Sequence, residues 1–302
     1  MKVLLTGASS FTGFWFAQKL TEQGAQVTAA LRGRAYEGVR AERMRKLTAE
    51  VVPDCAFGGE AFLDLVRARD FDVLCHHGAE VGDYKNPDFD VAAALAANTF
   101  NARRSLTLLR ERGAKAVVVT GSVFEPDEGA GPSPRRAFSP YGLSKSLTWA
   151  TMRHWGETLG LPTSKFVIAN PFGPYEAPRF VAHAVDCWRH GEPVVVRTPR
   201  YLRDNIHVDL LAFVYADFVA GAATSPRVFG PCGYMETQGA FAERLARNLG
   251  PRLGLKAEVR LAEQTDFAEP MARVNRDVID PGVYGWDEGR AWQALAKYYR
   301  GD

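Results

Sequence analysis

The chain has 302 residues, 46% of them hydrophobic, which is too long for a minimal domain and enough to bury a large core. Its 37 Lys and Arg against 35 Asp and Glu leave a formal charge of +2, so no global field selects nucleic acid or an anionic membrane. Four scattered cysteines (Cys55, Cys75, Cys187, Cys232) lack C-x-x-C spacing, which argues against a zinc site or disulfide framework and for a reducing compartment.

Lys2 to Thr6 is a short apolar, β-prone run that stops at glycine, as a buried parallel strand does. It leaves no room for a signal peptide, and no later apolar run approaches a membrane span, so a cytoplasmic protein is expected. Gly7-Ala8-Ser9-Ser10-Phe11-Thr12-Gly13 follows, then a helical pattern over Phe14 to Leu20 and a second strand over Gln26 to Leu31. Strand, glycine turn, helix and strand within about 30 residues form the unit that binds dinucleotides. Gly7 would allow a sharp turn, Gly13 a close approach of helix and strand, and the helix N-terminus would face a pyrophosphate. Ser10 stands where the usual fingerprint has its middle glycine. Gly7, Ser9, Ser10, Phe11, Thr12 and Gly13 are therefore candidate cofactor contacts.

NAD-binding units commonly end the second strand with Asp or Glu, which holds the ribose 2′-hydroxyl. This chain has Leu31-Arg32-Gly33-Arg34 and no acid before Glu37. A guanidinium there can pair with a 2′-phosphate. NADP(H) is the preferred cofactor on this reading, with Arg32 as its reader and NAD(H) as the alternative; two solvated arginines are the plainer account.

Residues 37 to 50 suit a charged helix, 50 to 54 a short strand and turn, and Phe62 to Arg67 another helix. Phe71 to Ala79 reads as a strand entering a small-residue turn, so Gly78 and Ala79 would pass under the cofactor. His76 and His77 at that strand end are more simply structural than catalytic. One helix is predicted over Val91 to Arg110, with Asn98 either bonded to the sheet or solvated. Lys115 to Val119 is the next strand, ending in Thr120-Gly121-Ser122, and the Pro- and Gly-rich stretch from Glu125 to Ser139 is a loop that delivers the chain to Tyr141.

Tyr141 and Lys145 stand four apart at the start of a helical pattern and so share a face. A free tyrosine titrates near about pH 10. A neighbouring ammonium favours the phenolate and brings it toward neutrality, which suits proton exchange with an alcohol or carbonyl oxygen. A surface Tyr and a solvated Lys would share this spacing; the preceding dinucleotide-binding unit is what favours chemistry.

Taken together these pieces resemble the extended short-chain dehydrogenase/reductase family, the nucleotide-sugar epimerase/dehydratase group. The resemblance rests on Thr6 to Gly13, Asp72 to Ala79, Asn98, Thr120 to Phe124 and Tyr141 to Lys145, and continues in Asn170-Pro171-Phe172-Gly173-Pro174 and Arg203 to Asp209. It implies an α/β, doubly wound parallel-sheet Rossmann fold with a smaller C-terminal substrate-binding lobe, set at 1–170 and 171–302 with a soft boundary. It further implies Tyr141 as acid/base, Lys145 as the lysine that tunes it and holds the nicotinamide ribose, and a strand-end hydroxyl on the substrate oxygen. Counting from the strand selects Ser122 for that hydroxyl; counting back from Val123-Phe124 selects Thr120; Ser122 is preferred. Asn98 matches a structural asparagine. Asn170 and Arg203 match segments that meet a nucleotide diphosphate, although Arg203 could instead pair with Asp204 or Asp209. The sugar dehydratases carry an acidic pair just after the hydroxyl, where this chain has Gly121-Ser122-Val123, so dehydration is disfavoured and Glu80 is the one substitute carboxylate.

Beyond 161 the chain alternates strand-like runs (164–169, 194–196, 257–261) with helices (180–188, 210–223, 238–249) and closes on a helix over 288–300. Trp286, Trp292, Tyr298 and Tyr299 are read as packing a lobe. The resemblance also implies a homodimer, with Phe100, Leu106 and Trp149 at its helical contact. The expected activity is NADP(H)-dependent reduction of a nucleotide-activated keto-sugar, the alternative being a nucleotide-sugar epimerase with retained NAD(P). A non-enzymatic NADP-binding redox sensor would not need Ser, Tyr and Lys together, and a reductase of non-sugar ketones would ignore nucleotide diphosphates. No metal, nucleic-acid or membrane partner is expected.

Overall fold

The structure, a computed structural model, describes residues 1–83, 86–131, 133 and 135–301. The chain forms two compact units. The first comprises Met1–Glu128, Arg135–Ile168 and Ala212–Gly230; the second comprises Gly129–Pro134, Ala169–Leu211 and Pro231–Asp302.

The first unit is built on a parallel seven-stranded sheet. Its strands are β1 (Lys2–Thr6), β2 (Gln26–Ala30), β3 (Glu50–Val52), β4 (Val73–His76), β5 (Ala116–Ser122), β6 (Thr163–Ile168) and β10 (Val228–Phe229), in the order β10-β6-β5-β4-β1-β2-β3. Val3, Leu4 and Leu5 of β1 are buried on both faces, which is why the central strands read as continuous apolar runs rather than alternating ones. Helices α1 (Phe11–Glu22), α2 (Gly38–Lys46), α3 (Glu60–Ala68), α4 (Val91–Asn98), α5 (Ala102–Glu111) and α6 (Pro140–Leu159) connect the strands. Leu4, Leu74, Val117 and Val119 pack with Phe62 of α3, Leu106 of α5 and Met152 of α6. Side chains alternate across a strand, so Phe166 lies on the other face, against Phe16 of α1 and Tyr215 of α8 (Val208–Gly221).

Two expectations are corrected here. The helix predicted over Val91 to Arg110 is two helices, broken at Thr99-Phe100-Asn101, where Asn101 adopts φ +48° and its Nδ2 donates to the Gly58 carbonyl. The carbonyl of Asn98, which a continuous helix would give to Ala102, accepts from His76 Nε2 at 2.9 Å instead. Leu106, expected at a dimer face, is wholly buried in the core of its own unit, because α5 turns that side toward the sheet. Phe100 is exposed and Trp149 half-buried.

In the second unit β9 (Leu202–His207) is the hub. It pairs with β7 (Asn170–Phe172), β11 (Tyr234–Thr237) and β13 (Ala272–Arg273), while β8 (Val194–Val196) pairs with β12 (Val259–Leu261). Phe172, Trp188 of α7 (Phe180–Arg189), Phe241 and Leu245 of α9 (Gln238–Leu253), and Trp292 and Leu295 of α10 (Glu288–Arg300) form its core. Among the described residues no helix is long and apolar enough to cross a membrane.

Candidate active site

In the first unit the strand order reverses direction between β1 and β4, and ligands of such sheets bind beyond the carboxyl ends of the strands at that point. The turns after these two strands touch there. Gly7 has φ +77°, and a Cβ on it would lie 2.7 Å from the Gly78 amide nitrogen, so both turn geometry and close approach require glycine. Ser10 caps α1 by accepting from the Gly13 amide at 3.1 Å, which orders the loop in place of a second glycine. Arg43 of α2 donates to the Ser9 carbonyl at 3.1 Å. The result is a short, braced loop ahead of a helix N-terminus with no acidic residue in its first turn, a fit for the pyrophosphate of a dinucleotide.

His76 and His77 are both absorbed by this scaffold. His76 bridges Thr6 Oγ1 (3.3 Å) and the Asn98 carbonyl. Asn98 in turn accepts from the Glu80 amide at 2.8 Å and donates to Thr148 Oγ1 of α6 at 3.2 Å. His77 places Nε2 within 3.0 Å of Ser10 Oγ and 3.1 Å of Thr12 Oγ1, and Nδ1 2.9 Å from Thr120 Oγ1. Desolvation, with the nearby Lys145 charge, pulls His76 down to about 4 and His77 to about 3, so both rings are neutral at pH 7.

Tyr141 and Lys145 lie in the first turns of α6, Pro140 standing at its start. Tyr141 is half-buried and meets the Phe89 ring edge-on, centroids 6.1 Å apart. Lys145 is only 4% exposed, and burial is the first cause pulling its ammonium down to about 8, opposed by the Glu125 carboxylate and reinforced by Lys165. The two strand-end hydroxyls differ. Thr120 is buried on the sheet face of Phe16 and Tyr215, opposite α6, and is engaged by His77. Ser122 is half-buried; its Oγ accepts from the Phe124 amide at 3.2 Å, and its amide donates to Glu125 Oε1 at 2.7 Å.

The remaining candidates are placed as follows. Ala79 is half-buried beside Gly78. Arg32, exposed beyond β2, pairs with Glu80 at 2.7 Å, and Arg34 pairs with Asp54. Glu80, expected on the substrate side, is thus held at the end of β2. Asn170 and Arg203 belong to the second unit. Arg203 is buried; its Nη2 donates to Glu269 at 2.8 Å, and its Nη1 to the carbonyls of Leu202 and Pro270. Glu269 is thus an acidic partner of Arg203, while the Asp204 carboxylate accepts from the Gly233 and Asn275 amides. Glu125 and Lys165, both buried next to Lys145, were missed by sequence reasoning, since a loop glutamate and a strand lysine ordinarily signal solvent.

The model of the NAD dependent epimerase/dehydratase family matches residues 3–225. No curated protein matches the chain in sequence. Among solved structures, UDP-glucose 4-epimerase from Thermotoga maritima with UDP-glucose is similar at TM-score 0.75 and 18% identity, covering 100% of this chain and 99% of that one. UDP-glucuronic acid 4-epimerase from Bacillus cereus, in complex with UDP-glucuronic acid and NAD, gives 0.74 and 15% over the same shares. UDP-glucose 4-epimerase from Thermus thermophilus with NAD gives 0.72 and 19%, again covering 100% and 99%. At these identities the likeness is one of fold.

Proposed function

Because the chain belongs to the NAD dependent epimerase/dehydratase family, we propose that it is a nucleotide-sugar epimerase that retains NAD and inverts a hydroxyl-bearing carbon of a UDP-hexose. The observation that carries this reading is Lys145, buried one helical turn from Tyr141 on a helix beside the dinucleotide loop. The names of the solved neighbours, UDP-sugar 4-epimerases, two of them with NAD, support it. Keto-sugar reduction with NADP(H), the first expectation from sequence, has less behind it: Arg32 and Arg34 are engaged by Glu80 and Asp54, and those neighbours hold NAD.

In this mechanism Tyr141 takes the proton of the reacting sugar hydroxyl and returns it after the carbon is inverted. The Lys145 ammonium stabilises the phenolate that does so. Ser122 is the hydroxyl that bonds the same oxygen; Thr120 is the less suited of the two because its hydroxyl is buried and already engaged by His77. Bound NAD would supply reversible hydride transfer at the sugar carbon, with no net redox change. Gly7, Ser9, Ser10, Phe11, Thr12 and Gly13 would hold its pyrophosphate, with Gly78 and Ala79 passing beneath.

The test is to denature the purified protein, identify the released nucleotide, and incubate the native protein with UDP-glucose while following UDP-galactose by NMR. Released NAD and 4-epimer formation without added cofactor are expected, with Tyr141→Phe lowering turnover by about 100-fold or more. A protein that instead consumed NADPH stoichiometrically on a UDP-4-keto-sugar would restore the reductase.

A further inference from the structure

A buried ion cluster lies against the face of α6 that carries Lys145: Gly142, Lys145 and Trp149 share that face, a Cβ on Gly142 would lie 2.2 Å from the carbonyl oxygen of Phe124, the residue before Glu125, and Lys165 reaches Trp149. Glu125 is 0% exposed and folds its side chain back on its own strand end: Oε1 accepts from the Ser122 amide at 2.7 Å, and Oε2 lies 2.5 Å from Lys165 Nζ. Lys165 comes from β6, is nearly as buried, pairs also with Glu128, and sets its ammonium 5.5 Å from the centre of the Trp149 ring of α6. A Cβ on Gly121 would come 2.5 Å from Lys165 Cε and 2.9 Å from Glu125 Oε1, so β5 makes room for the pair by carrying no side chain there. Buried ion pairs of this kind are weak contributors to stability, since desolvation offsets much of their attraction. Their place next to a third buried charge gives a different account of why these residues are here.

The titratable groups around Lys145 are Glu125 from the turn after β5, Lys165 from β6, His76 and His77 from the end of β4, and Tyr141 on its own helix. The histidines are neutral and Lys165 repels. Glu125 is the carboxyl group of the set; burial raises it, and Lys165, Lys145 and the Ser122 amide pull it back toward the carboxylate. We propose that Glu125, fixed by the Ser122 amide and by Lys165, is a positioning residue whose carboxylate keeps Lys145 an ammonium at neutral pH. The role assigned to Lys145 rests on the acid–base reading above. Burial draws Lys145 down to about 8 even with Glu125 opposing it; without the carboxylate it would fall further, leaving less ammonium at neutral pH to support a phenolate.

The test uses the full chain labelled with [ε-13C]lysine and titrated by NMR, with Lys145 assigned through Lys145→Arg. In Glu125→Gln, which keeps an acceptor for the Ser122 amide, the Lys145 midpoint is expected to fall by about one pH unit. In the double variant Glu125→Gln/Lys165→Met, which removes both buried charges of the pair if the single variant fails to fold, it falls by less, because the pull of Glu125 outweighs the push of Lys165. An unmoved or raised midpoint in either folded variant overturns the proposal and leaves Glu125 a packing residue. The titration requires neither cofactor nor sugar. A protein that fails to epimerise UDP-glucose while Glu125→Gln still shifts Lys145 would therefore sink the reaction and spare the pair.

Discussion

Thr120 and Ser122 stand two residues apart on β5 and meet different neighbours. Removing the Ser122 hydroxyl as Ser122→Ala should lower kcat by about 100-fold with little change in melting temperature, if it bonds the reacting oxygen. Thr120→Val should instead leave His77 Nδ1 without its partner and cost about 1 kcal/mol of stability in urea, with kcat nearly kept. The opposite pattern in the two variants would exchange their roles. Tyr141, Lys145 and Gly7 were legible in the sequence because their meaning lies in local spacing. Arg203 and Glu269 were not, being 66 positions apart, and neither residue type signals burial. Glu125 and Lys165 were hidden for the same reason, since a buried charge is recognisable only with its partner.

Among the elements, the loop between β1 and α1 has the least tolerance. Gly7→Ala would press a methyl against the Gly78 amide and force an alanine to φ +77°, at a cost of roughly 1–3 kcal/mol. Urea midpoints measure that loss, and isothermal titration should show weaker NAD binding in whatever folds. Most strands and helices of the first unit follow apolar periodicity and were read to within a few residues of their ends, but β10 was not read. The break between α4 and α5 was not, because it is set by His76 capturing the Asn98 carbonyl from another strand. The hub strand β9 escaped as well. Its Arg203, Asp204, Asn205 and His207 are polar yet buried, so alternation of hydrophobicity, the usual mark of a strand, is missing.

Across the molecule the two units should answer acid differently. In the first, His76 and His77 have folded values of about 4 and about 3, below the unfolded value near about 6.5, so the unfolded chain takes up those protons first. Their contribution is present above about pH 6.5 and is lost as pH falls toward the folded values; Glu125, raised by burial, acts in the opposite direction. In the second unit the sign reverses. Burial lifts Asp204 to about 6 and Glu176 to about 7, so the folded state takes up these two protons before the unfolded one, while His207, drawn to about 3, opposes them. Hydrogen exchange followed by mass spectrometry at pH 7 and pH 5, corrected for intrinsic rates, should show protection falling in residues 1–128 and holding or rising in residues 231–301.

The seventh strand carries one more consequence. Nothing in residues 212–230 announces that they complete the first sheet, yet β10 pairs with β6, and Tyr215 and Phe218 cover Phe166. During synthesis the chain must leave the ribosome as far as Phe229 before β6 gains its outer neighbour. Until then Phe16 and Phe166 lie bare beside an open strand edge, the kind of surface that recruits other chains. The nascent protein therefore spends the translation time of some sixty residues in its most aggregation-prone form. A gene cut after codon 170 would make that interval permanent: such a fragment should be recovered in inclusion bodies where the full-length product is soluble.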